Sequence, residues 1–243
     1  MQARLLIFPG MPFFDPLFLL LSAPALLLSL WASFRVKSTF ARYSQVRSAR
    51  GLTGAQAARE LLNQKGIRDV AVERVEGFLS DHYDPSAKVL RLSPDVYESN
   101  SLAALGVAAH EAGHAIQHAT GYGPLKFRSW AVKPAQIGSN FGGILVMAGA
   151  ALASTKLMFA GVVLFSAFVV FTLVTLPVEF NASSRAVAVL SEHGIISRSE
   201  EAGTRAVLNA AAMTYVAGAL ASIMQLLYFL IRSGLLGGRS DDD

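Results

Sequence analysis

Four long apolar stretches constrain this chain more than any other feature, because each is about as long as a lipid bilayer is thick and carries almost no charge. The first, Pro16 to Phe34, has no charged residue at all. As a helix its roughly 19 residues extend about 28 Å, which matches a hydrocarbon core about 30 Å thick. Ile137 to Thr155, Leu157 to Val178 and Ala212 to Ile231 are the other three. A segment in lipid must satisfy its own backbone hydrogen bonds, so each stretch is expected to be a helix. Composition agrees: 53% hydrophobic residues against 16% charged is too apolar for an ordinary soluble domain. A basic run follows the first stretch and none precedes it, so it reads as a retained anchor and not as a cleaved secretory signal.

The basic residues orient the chain. Fourteen of the 21 Lys and Arg lie from Arg35 to Lys133, and three more from Glu179 to Arg205. Positive charge favours the cytoplasmic side, and the cluster Arg35, Lys37, Arg42, Arg47 and Arg50 beside the first apolar stretch weighs most. The expected order is therefore a tail and first spanning helix in 1–34, an inner lobe in 35–136, and a transmembrane hairpin in 137–178 turning near Ser154-Thr155-Lys156. An inner segment in 179–211, a fourth spanning helix in 212–231 and a polar tail in 232–243 complete it. The net charge of +4 comes without a recognition helix or interleaved aromatics, so the bilayer is the expected partner and nucleic acid is not.

Within the inner lobe, Thr53 is expected to cap a helix running to about Gln64, with Gly66 as its stop. Strand-like alternation follows at about Val70 to Val75 and Lys88 to Leu92, with Asp84-Pro85 marking a turn between. Ser101 then caps a helix through about Ala119. The middle of that helix holds His110-Glu111-Ala112-Gly113-His114. Residues four apart share a helix face, so both imidazoles can meet one Zn²⁺ while Glu111 lies beside the open coordination position as a general base. The apolar run before the motif, Leu102 to Ala109, is too short to cross a bilayer. The site is expected at the inner membrane surface.

With no cysteine in the chain, a third ligand must be His or a carboxylate. His118 lies eight residues beyond His110, about 12 Å along a helix, and no Gly lies between His114 and His118 to reverse the chain. His82, in Asp81-His82-Tyr83-Asp84-Pro85, falls where a turn is expected and fits the rim of a cleft better than the metal. Glu179 is the preferred candidate: it follows Pro177 at the inner end of the third apolar stretch, on the side where His110 and His114 are expected, and an isolated acid there calls for a partner. A surface carboxylate, or one paired with Arg185, is the alternative. Arg185, Asn209 and Tyr215 are candidates for oxyanion stabilisation, and Lys88 to Leu92 for an edge strand that pairs with an extended substrate. Small residues in Gly138 to Gly142 and Gly149 to Ala153 allow close helix packing, within the bundle or between copies.

Three segments carry a family resemblance: Val107-Ala-Ala-His-Glu-Ala-Gly-His-Ala-Ile-Gln-His118, Asp81-His-Tyr-Asp-Pro85, and Leu176-Pro-Val-Glu-Phe-Asn-Ala-Ser183. Together they resemble the bacterial membrane zinc metallopeptidases of the YugP type, also called zinc peptidase 2, from about Phe14 to Ile231. The distal Glu179 is also distantly similar to that of membrane gluzincins, which usually carry Asp four residues later, where this chain has Ser183. The resemblance implies a metal-dependent endopeptidase of the bacterial inner membrane, with His110, His114 and Glu179 as ligands of one zinc ion and Glu111 as base.

The expected fold is thus an α-helical membrane protein with four transmembrane helices and a small α+β zincin-like lobe. Its expected substrates are membrane-associated or misfolded proteins. Rival readings are an intramembrane-cleaving zinc protease, opposed by the absence of Asp between Asp95 and Asp241, and a catalytically idle scaffold or chaperone, opposed by the intact motif. A transporter would need charges inside the spans, which these lack.

Overall fold

The computed structural model describes residues 15–77 and 80–236. The segment before Asp15 and the tail from Gly237 onward, expected to be polar, lie outside the described residues. The elements in chain order are α1 (Pro16–Ser44), α2 (Gly54–Gln64), β1 (Ala71–Arg74), β2 (His82–Asp84), β3 (Val89–Leu92), α3 (Pro94–Tyr97), α4 (Leu102–Ala119), α5 (Gly123–Ala151), α6 (Thr155–Glu192) and α7 (Arg198–Arg232). They form two compact units, one of residues through Leu30, Arg128–Val174 and residues from Tyr215 onward, the other of Trp31–Phe127 and Thr175–Thr214.

In the first unit, aromatic side chains, valines and Met158 make the core: Val146, Met158, Val162, Phe165, Val169, Tyr228 and Phe229. Helices α5 and α6 approach closely through glycine. A β-carbon on Gly142 would lie 2.8 Å from Cβ of Phe165, and one on Gly149 would lie 2.6 Å from the Met158 side chain. The small residues of α5 therefore serve packing within the chain. The hairpin turn falls at Leu152 to Ser154, with Ala153 at φ 51°, so Thr155 and Lys156 already belong to α6.

Among the described residues, three helices are long and apolar enough to cross a membrane: α1, α6 and α7. Leu20, Leu27 and Phe34 stand 71%, 67% and 71% exposed, an outward apolar surface that suits lipid better than water. The fourth expected span, Ile137 to Thr155, lies in α5 only as far as Ala151, and Ser139 and Asn140 interrupt its apolar run. Where a short inner segment is expected at 179–211, α6 and α7 instead run on as helix, leaving only His193 to Ser197 between them.

The second unit buries the α2, α4 and sheet residues in one core with Ala186, Val187, Leu190, Ile195 and Leu208. Thr53 and Gln56 form a capping box on α2, each side chain accepting from the other's backbone N–H. The sheet order is β1-β3-β2, with β1 parallel and β2 antiparallel to β3. This corrects two expectations. Val89 to Leu92 is the central strand, hydrogen-bonded on both sides, so it offers no edge to a substrate. His82 lies on β2, opposite Arg91, and not in a turn. The turn is one step later: Asp84 Oδ1 accepts from the backbone N–H groups of Ser86 and Ala87, and Lys88 takes φ 52°.

Candidate metal centre

Helix α4 starts where the Ser101 hydroxyl accepts from the Ala104 backbone N–H at 3.2 Å. It is built from small residues, and Ala103, Ala104, Ala108, Ala109, Ala112 and Ala115 are all buried. That lets neighbouring helices come close on several sides. The closest approach is at Gly113, where a β-carbon would lie 2.6 Å from the carbonyl oxygen of Ala182 on α6. Gly113 is thus the contact that brings the face of α4 bearing His110 and His114 onto the face of α6 bearing Glu179 and Ser183. A Gly113→Ala protein should lose about 1–3 kcal/mol of stability by overpacking. It should also bind zinc more weakly, both checked by thermal unfolding with and without the metal.

Three donor groups converge there: one ligand atom from each of His110, His114 and Glu179, all within 4.8 Å of one another. Glu179 Oε2 lies 3.0 Å from His110 Nε2 and 3.5 Å from His114 Nε2. For ligands about 2.0–2.1 Å from a tetrahedral zinc, neighbouring donors stand about 3.3 Å apart. The two carboxylate-to-imidazole spacings, 3.0 and 3.5 Å, bracket that value. Glu179 is 1% exposed, and a carboxylate so buried needs compensating positive charge.

The outer ring nitrogens are also held. His110 Nδ1 lies 3.1 Å from the Ser183 hydroxyl, and His114 Nδ1 lies 3.0 Å from Gln117 Oε1. The Gln117 amide nitrogen donates to the Val178 carbonyl at 2.8 Å and to Asn181 Oδ1 at 3.0 Å. Because that nitrogen has two acceptors, the amide oxygen must be the atom facing His114, so His114 carries its proton on Nδ1. Its Nε2 lone pair then points at a carboxylate oxygen, an arrangement that calls for a cation between them. With no metal present, burial opposes charge on His114. The Glu179 hydrogen bond and the nearby Glu111 charge outweigh it and hold the His114 pKa above the usual histidine value. A divalent cation would take the place of that proton.

Glu111 is half-buried beside this group and makes no hydrogen bond or ion pair with another described residue. Its carboxylate is therefore uncommitted. Its charge is also felt at Asp81, whose pKa is raised, mainly by burial, against the pull of hydrogen bonds from Ser93.

The remaining candidates are not among the three converging donors. His118 meets the Tyr83 hydroxyl at 2.8 Å, tying β2 to α4. His82 is exposed and its Nδ1 lies 2.7 Å from the Ser80 carbonyl. Asp81 accepts from the Ser93 backbone and hydroxyl, so the Asp81-His-Tyr-Asp84 segment anchors β2. Arg185 donates to Asn181 at 2.7 Å and lies over the Tyr122 ring, unpaired with Glu179. Asn209 is exposed in a groove that contains none of the three donors, and Tyr215 belongs to the other unit.

Gln117 is the residue that sequence reasoning missed. It is fully buried in a helix end that offers it no obvious partner, and its place three residues after His114 was the available signal. Gln117→Leu keeps the shape and removes the acceptor for His114. Zinc affinity should fall by about 10–100-fold, measured by competition with a chelating dye, while the folded structure persists.

Comparison with known proteins identifies the family of the chain. No solved structure matches the chain. Over 226 residues the chain is 47% identical to the "Putative membrane protease YugP" of Bacillus subtilis (strain 168), covering 93% of this chain and 100% of that relative. Residues 18–234 match the family described as "Putative neutral zinc metallopeptidase", which takes in α4, α6 and every residue of the donor cluster. A match of that extent, over a site of this composition, places the chain in the zinc peptidase 2 family.

Proposed function

We propose that the protein is a membrane-embedded zinc endopeptidase whose active site lies at the cytoplasmic surface of the bacterial inner membrane. The observation that carries this reading is the convergence of His110, His114 and Glu179 from two helices, with the outer nitrogens of both imidazoles held in place. The family description and the relative's name support the reaction class.

His110, His114 and Glu179 would hold the ion and leave one coordination position open. Zinc held by these three residues would supply Lewis acidity, which acidifies water and polarises a peptide carbonyl. Glu111, one residue from His110 on the same helix and uncommitted to any other group, takes the proton of the attacking water and delivers it to the leaving amine. Ser183 and Gln117 keep the two imidazoles oriented for the ion.

The membrane arrangement adds Ile137 to Thr155 as a fourth crossing to the three long apolar helices, with the basic segments inside. Membrane-associated or misfolded proteins are the substrates that such a location would present. The test is cleavage of an unfolded protein by the purified full chain in detergent. Loss of activity with a chelator and its return with zinc are expected. Cleavage that persists after complete metal removal would overturn the proposal.

A further inference from the structure

In the second unit, α1 and α7 enclose a groove of about 420 Å³ that is separate from the metal centre. Its floor exists because Ala202, Ala206 and Ala210 recur every four residues on α7 and fill little space. Its polar lining is Trp31 and Arg35 on α1 and Arg205 and Asn209 on α7. Each pair is four residues apart and so shares a helix face.

Two observations indicate what this groove receives. The first is charge. Arg205 is held by Glu201, which accepts from its Nε at 2.8 Å and from a terminal nitrogen at 2.6 Å. One guanidinium is thus fixed in orientation and partly neutralised. Arg35 forms no ion pair with another described residue and is exposed, which leaves the groove net positive. The second is position. Arg35 is the first charge after the apolar run of α1, and Asn209 lies three residues before Ala212, where the apolar run of α7 begins. Both walls change from polar to apolar at this groove, and the half-exposed Trp31 is the residue type that collects at the lipid headgroup level.

We propose that this groove binds the phosphate of an anionic phospholipid. A guanidinium presents paired N–H donors that match two phosphate oxygens, and the Asn209 amide and Trp31 indole can add donors. A zwitterionic headgroup brings its own cation and is disfavoured beside two arginines. The proposal rests on the membrane reading above.

The test uses the full chain released from detergent for native mass spectrometry, with dioleoylphosphatidylglycerol and dioleoylphosphatidylcholine as probes. The wild type should retain the phosphatidylglycerol in preference to the choline lipid. Arg35→Gln with Arg205→Gln should weaken that retention by roughly thirtyfold, from about 1 kcal/mol for each basic residue. A charge-matched control, Lys65→Gln with Arg68→Gln, should leave it unchanged. Equal retention of the two lipids by the wild type, or an unaltered preference in the groove variant, would overturn the proposal. Displacement of the lipid by excess inorganic phosphate would also overturn it, in favour of a free-anion site. Carbonate extraction of native membranes separates the two readings: a chain that washes off removes the membrane reading itself, whereas one that stays without lipid preference removes only the groove.

Discussion

A Glu111→Gln protein should retain its zinc and lose peptide hydrolysis by about 10²–10⁴-fold, the usual worth of one positioned general base. The substitution keeps the shape of the side chain and removes only its ability to accept a proton. Metal content should not change, because Glu111 is not among the three converging donors. Folding should not change either, since Glu111 is half-buried and bonds to no other described residue. The measurement is zinc per chain by elemental analysis, beside the cleavage rate on the same preparation. A variant that holds zinc and cleaves at the wild-type rate excludes Glu111 as the base. One that loses both would instead make Glu111 a structural part of the metal centre.

Much of the second unit was legible because local chemistry dictates it. The capping box at Thr53 and Gln56 and the Ser101 cap place α2 and α4 where their sequences put them, and the i, i+4 spacing puts both histidines on one face. Glu179 was reachable from topology, since an acid at the end of an apolar run has few places to be satisfied. Strand order was not legible. Alternation in Val89 to Leu92 shows that the segment is extended, but which neighbours pair with it is decided by β1 and the three-residue β2, and β2 is too short to carry a period of its own. Helix lengths were underestimated for a related reason. The apolar pattern ends where the lipid would end, whereas α6 continues to Glu192 on buried Ala182, Ala186, Val187 and Leu190. The supporting shell was the least visible part. Ser183 departs from the Asp usual in membrane gluzincins yet still meets His110, and Gln117 is fastened to a backbone carbonyl 61 residues away, which no local pattern records.

The second large effect is expected at Glu179. Replacing it with Ala removes one of three donors, and two imidazoles alone do not complete a catalytic zinc site. Loss of an outer partner of a ligand commonly costs about 10–100-fold in affinity, so loss of the ligand itself should exceed that range. An independent reading comes from stability. A metal that binds only the folded chain raises the unfolding free energy by about RT ln(1 + [Zn]/Kd), roughly 2.7 kcal/mol at a hundredfold excess over Kd. The wild type should therefore unfold at a higher temperature with zinc than with a chelator, and the Glu179→Ala protein should unfold at the same temperature in both. Activity loss by itself could arise from disturbed packing between α4 and α6. Loss of the zinc-dependent shift in a variant that still unfolds cooperatively could not. A Glu179→Ala protein that holds one zinc per chain and keeps the full shift would show that some other group completes the site.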